Sequence, residues 1–269
     1  MNAMSLGVVV KGPEGVVLAA DSRVTLTAQR PGAPPMQVNF DNATKLLSLS
    51  GEHRWVGAVT YGAAVIGLRT AHSFIPEFEV ELSDRGKRLS VLEYAELMSG
   101  FFLRQWQSAV LGDYQGVPMT FILGGYDPDG AYGRVFVFDI PTNPAPVEKN
   151  PGDDNFGMTW GGQLQIASRL IHGYDPALPL ILKGELGLDE TQLQKVMAAL
   201  ASSLEFTVPY QVLPLQDCVD LAALMVRTTM EAQNLGIGVR GVGGPTDIAV
   251  VTRTEGLKYI RRKSVTAGG

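Results

Sequence analysis

Residues 5–23, SLGVVVKGPEGVVLAADSR, decide how the rest of this 269-residue chain is read. Two runs of mostly branched aliphatics, Leu6 to Val10 and Val16 to Ala20, flank the turn Gly12-Pro13-Glu14-Gly15. A Gly/Pro turn between such runs predicts a β-hairpin, and the lack of polar alternation predicts strands covered on both faces. The first strand begins near the amino terminus, and the second ends on Asp21 and Arg23. A hydroxyl at Ser5 and an acid-base pair therefore meet at one end of one hairpin. If the mature chain starts at Ser5, its terminal amine can act as the base for that residue's own hydroxyl.

Composition bounds what such a hairpin can belong to. With 45% hydrophobic and 18% charged residues, the chain can bury a substantial core, and we read residues 1–269 as a single domain. The net charge of -5 argues against nucleic acid or an anionic membrane as the main partner. No apolar run approaches the roughly 20 residues of a spanning helix, and no basic-then-apolar leader precedes Ser5, so a cytoplasmic location is expected. A single cysteine, Cys218, forms no internal disulfide, suits a reducing compartment and sits in an apolar helical pattern, where it reads as packing. His53, His72 and His172 lack HxH or HExxH spacing, so neither a metal nor any other cofactor is expected. No G-x-S-x-G elbow occurs. The glycine-rich Gly236 to Gly244 lacks a G-K-[ST] ending and precedes a strand, so it reads as a turn.

Outward from the hairpin, Val24 to Asn39 reads as a long loop and Lys45 to Leu49 as a short strand. Trp55 to Tyr61 reads as a strand, followed after Gly62 by a helix from Ala63 to about Phe78. Ser90, with Glu93 three residues on, is a capping box opening a helix to Leu111. Strands follow at Pro118 to Tyr126 and Arg134 to Ile140, then a surface loop from Pro141 to Asn155. Phe156 to Trp160 reads as a strand leading into a helix from Gln163 to Gly173. An added segment near 176–206 reads as irregular to Gly187 and as a capped helix from Asp189 to Leu204. A long helix spans Leu215 to Gln233, and two last strands span Thr246 to Thr252 and Leu257 to Arg261. Strand blocks separated by helix pairs predict an α+β fold of two largely antiparallel sheets between helix layers, a four-layer αββα sandwich.

The segment Gly-Val-Val-Leu-Ala-Ala-Asp-Ser-Arg at 15–23 resembles the proteasome β-subunit family of N-terminal-nucleophile (Ntn) hydrolases. Asn42-Ala43-Thr44-Lys45-Leu46 is similar to that family's lysine-bearing strand, and Ala58 to Ala64 to its strand-to-helix turn lining the substrate groove. Leu221 to Asn234 with Val242 to Val250 is similar to its last helix, glycine turn and final strand. The segments occur in family order across nearly the whole chain.

The resemblance implies a peptidase or amidohydrolase in which a terminal hydroxyl forms an acyl-enzyme. It assigns the acid to Asp21 and the amine to Lys45, with Arg23 beside them. Amides of the Tyr61-Gly62 turn would serve the oxyanion, with Thr60, Tyr61 and Ala64 shaping the groove. Counting back from Asp21 by the family's spacing lands on Ser5; aligning the strand by Gly7 lands on Ala3. Met4 can be the true initiator, with Met1-Asn2-Ala3 appended, and its removal would expose Ser5. Thr159, Trp160 or Gly161 stands where the family has an accessory Ser, and Thr159 could supply the hydroxyl. Asn234 and Val242 replace an Asp and a Ser of the family. The resemblance further implies a homo-oligomer assembled as rings and acting on peptide or protein. The alternative is a ring-forming or scaffolding relative that has lost its chemistry.

Overall fold

The computed structural model describes residues 5–264 other than 29–31, 33, 35, 84, 86, 111, 113 and 239. The hairpin forms as read. Strands β1 (Leu6–Lys11) and β2 (Val16–Ala20) are buried at every position, and the Gly12 amide donates to the Gly15 carbonyl at 2.9 Å to close the turn. Burial on both faces follows from what alternates along β1. Val8 and Val10 join one apolar cluster and Val9 another.

Further strands complete two antiparallel sheets. Into the first go β10 (Gly157–Gly162), β11 (Asp247–Thr252) and β12 (Gly256–Arg261), in the order β10-β1-β2-β11-β12. The second runs β5 (Leu46–Ser48), β6 (Val56–Gly62), β7 (Met119–Gly125), β8 (Arg134–Ile140), β9 (Asn143–Lys149). A separate two-stranded ribbon, β3 (Val24–Ala28) with β4 (Met36–Phe40), occupies the stretch read as a loop.

Three apolar clusters tie these elements together. Val9, Leu18, Ala249 and Val251 of the first sheet pack with Val59, Ile122 and Val135 of the second. On the second sheet, Ala58, Phe121 and Phe138 meet Phe78 of α1 (Ile75–Ser83) and Phe101 and Phe102 of α2 (Val91–Ala109). On the first, Val8, Val17 and Ile248 meet Ala167 and Ile171 of α3 (Leu164–His172) and Ala222, Met225 and Val226 of α6 (Leu215–Leu235). Cys218 is buried in this last cluster, and burial pushes its thiol up to about 11, as the packing reading expects. The chain is thus α+β with antiparallel sheets.

Several sequence expectations are corrected. The stretch from Ala63 to Thr70 is not helical: Ile66 and Arg69 form an isolated bridge around Gly67, whose φ is +60°, and Leu68 is fully exposed. One 3-10 turn over Ala71–Phe74 then leads into α1. The stretch from Pro141 to Asn155 contains β9, an edge strand that tolerates Pro144 and Pro146 because one of its sides has no partner strand. Residues 176–187 contain a helix, α4 (Leu178–Leu186), with Pro179 in its first turn, where a missing amide hydrogen costs nothing. Helix α5 (Glu190–Leu204) has the expected capping box of Asp189 and Gln192, yet neither α4 nor α5 has a buried residue. No described helix is long and apolar enough to cross a membrane.

Candidate active site

The hairpin's open end gathers the predicted residues. Asp21 follows β2 and Ser5 precedes β1, so antiparallel pairing of Gly7 with Ala20 brings the two residues to the same end of the ladder. Lys45 immediately precedes β5, and its carbonyl accepts the Thr60 amide at 3.0 Å. Its side chain reaches across to the hairpin. There Lys45 Nζ lies 2.7 Å from Ser5 Oγ and 2.8 Å from Asp21 Oδ1. All three residues are buried, with relative exposures of 5% for Ser5, 1% for Asp21 and 6% for Lys45.

Asp21 has a full set of donors. Its Oδ1 accepts from Lys45 and from the Leu6 amide at 3.0 Å, and its Oδ2 from the Arg23 amide at 3.1 Å and the Gly243 amide at 3.0 Å. A carboxylate so surrounded has no freedom to rotate, which fixes where the lysine nitrogen must sit. Burial pushes the Lys45 ammonium below the ordinary lysine value; Asp21 opposes that shift, and Lys263 and Arg23 add to it. The neutral amine, which can take a proton, is therefore within easier reach than on an exposed lysine.

Ser5 is held from the other side as well. Its carbonyl accepts the Gln163 amide at 2.8 Å, across the end of β10. The approach requires glycine at 162, where φ is +98° and an added Cβ would come within 2.0 Å of the Ser5 carbonyl oxygen. Tyr61 fills the neighbouring space: a Cβ at Gly161 would lie 2.0 Å from its hydroxyl, and one at Gly7 would lie 3.0 Å from its ring. Burial pushes the Tyr61 phenol up to about 12, so the ring stays neutral and serves as a wall.

Ser5, Lys45, Thr60, Tyr61, Gly62 and Ala64 line one cavity, closed by small side chains such as Ala43, Ala63 and Ala71. Thr60 Oγ1 is buried there without a hydrogen-bond partner among the described residues.

Two predicted residues stand elsewhere. The Arg23 guanidinium turns away from Ser5 and grips Asp41 through Nε at 2.6 Å and Nη2 at 2.8 Å; only its backbone amide serves Asp21. Arg23 is thus a clamp on the loop that leads to Lys45. Thr159 pairs with Val9, four residues along the strand from Ser5, and is not brought to the cluster. Residues that sequence reasoning passed over include Gln163 and Gly243, which act through backbone amides and so carry no side-chain signal. Buried Asp247 forms a further ion pair with the partly buried Lys263, where β11 pairs with β2 at Ala20. Among the described residues no group of three or more His, Cys, Asp or Glu could hold a metal ion. No protein-family model matches the sequence, and a search of curated proteins found no similar one.

Proposed function

We propose that this chain is an Ntn hydrolase of the proteasome β-subunit type, with that family's four-layer αββα sandwich, and that it cleaves peptide or related amide bonds through Ser5. The observation that carries this reading is the buried Lys45 nitrogen placed between Ser5 Oγ and Asp21 Oδ1. In the mature form residues 1–4 are removed, leaving a terminal amine on Ser5. Ser5 Oγ attacks the amide carbon and its proton passes to neutral Lys45 or to that amine; the C–N bond then breaks and the leaving nitrogen takes the proton. Water cleaves the resulting ester, releasing a carboxylic acid and restoring the hydroxyl. Asp21 holds Lys45 in place and balances its charge in the protonated half of the cycle. The working form in this reading is a homo-oligomeric ring in the cytoplasm, acting on peptide or protein and on neither nucleic acid nor membrane.

A second reading, a ring-forming scaffold without chemistry, is favoured by one feature. Val242 is buried in the apolar cluster and offers only its backbone amide, to Gln233 Oε1 at 2.8 Å, where the family has a hydroxyl. The test is release of a fluorescent amine from short peptide amides. The hydrolase reading expects turnover that falls about 10²–10⁴-fold in Lys45→Ala. Turnover that survives in both Lys45→Ala and Ser5→Ala would overturn it, and no turnover from protein confirmed to begin at Ser5 would leave the scaffold.

A further inference from the structure

Apart from the cavity at Ser5, the molecule carries a wide groove of about 770 Å³, which adjoins the site through Gly244, next to the Gly243 whose amide serves Asp21. One wall is α6, from Asp220 to Glu231; the other is formed by Gly244 to Thr246 and by Arg261 to Ser264, where the chain leaves β12. The twelve residues from Asp220 to Glu231 span eleven helical rises, which give the groove a length of roughly 16 Å. An extended peptide covers that in about five residues.

The groove's charge runs against that of the chain. The whole protein has a net charge of -5, yet Arg227, Arg261, Arg262 and Lys263 line this groove against Asp220 and Glu231. Lys263 is already bound to Asp247. Arg262 stacks on the Tyr259 ring at 4.6 Å, which fixes the guanidinium plane without neutralising it. Arg227 and Arg261 are exposed, and among the described residues neither has an ion-pair partner. Arg54, Arg85, Arg88, Arg240 and Arg253 also lack ion pairs among the described residues, so what marks this groove is that Arg227, Arg261 and Arg262 converge on it. Between the arginines lie Leu224, 42% exposed, and the partly buried Met230. Cations on both walls over an apolar floor suit a chain in which carboxylates alternate with aliphatic side chains.

We propose that this groove is a docking site for a short extended peptide segment of acidic and aliphatic residues. The groove shares no lining residue with the cavity at Ser5, and the proposal stands whether or not Ser5 is a nucleophile. A long polyanion fits less well, because the rest of the surface would repel it.

The test is fluorescence anisotropy of the full-length protein with a labelled peptide alternating Glu and Leu, beside one alternating Lys and Leu. The expected result is binding of the acidic peptide alone, weakening at least about 10-fold between low and high salt as exposed charge pairs are screened. Ser5→Ala should bind equally well, which separates the groove from the substrate cavity. The double variant Arg227→Glu/Arg261→Glu should lose the acidic peptide and gain the basic one, a gain that unfolding does not produce. Equal binding of both peptides, retention of the acidic peptide by the double variant, or tighter binding of a single-stranded RNA would each overturn the proposal.

Discussion

The open end of the β1/β2 hairpin and the α4/α5 segment invert the usual partition of side chains in opposite senses. At the hairpin, a hydroxyl, a carboxylate and an ammonium are buried, each held by named partners. In α4 and α5, aliphatic side chains face outward, with Leu180 75% and Leu186 66% exposed and no residue buried. Asp21 and Lys45 are buried charges held by one another, and removing either strands the other, so the first region must be intolerant of change. The second adds little to the core and should tolerate change freely.

The largest effect that can break this contrast is on turnover. Lys45→Met should leave amide hydrolysis about 10²–10⁴-fold slower in a kinetic assay. In the unaltered protein, activity should rise with pH, and its inflection should lie below the ordinary lysine value because burial favours the neutral amine. A kcat profile that is flat through the alkaline range would argue against Lys45 as the proton acceptor.

Next in size is Asp21→Ala, which strands a buried ammonium and three backbone donors. Denaturant unfolding should show a loss of about 3–5 kcal/mol. Leu18→Ala, between the two sheets, should cost about 2–5 kcal/mol by leaving a cavity.

A matched pair of caps then sharpens the comparison. Ser90 caps α2 and Asp189 caps α5, each in a capping box. Ser90→Ala should lower global stability by about 1 kcal/mol, because α2 buries Phe101 and Phe102. Asp189→Ala removes the same local bonds, yet it should appear as faster amide exchange near residues 189–193 with global stability within about 0.5 kcal/mol. Leu180→Ser should be the quietest change, also within about 0.5 kcal/mol in unfolding of the single chain.

The same contrast explains what the sequence made legible. The hairpin and the Ser90 capping box were readable because each rests on short-range pattern, a Gly/Pro turn and a Ser-x-x-Glu spacing, whereas the Asp21–Lys45 pairing, between residues 24 apart, came from the family resemblance. Residues 63–70 misled because Val65, Leu68, His72 and Ile75 fall near helical spacing, while Gly62 and Gly67 take positive φ and turn the chain instead. Strand β9 was hidden by its prolines, which only an edge position explains. The missed members of the site, Gln163 and Gly243, donate backbone amides, and such a role depends on register across strands and not on residue type. Thr159 fell outside the site for the same reason: pairing with Val9 sets it four residues too far along.

The most direct measurement is intact mass with amino-terminal peptide mapping, before and after exposure to a β-lactone that acylates activated hydroxyls. The account predicts a mature chain starting at Ser5 and a single adduct on that residue, abolished in Lys45→Ala. Retention of residues 1–4 with Ser5 unmodified, or an adduct elsewhere in the chain, would contradict it.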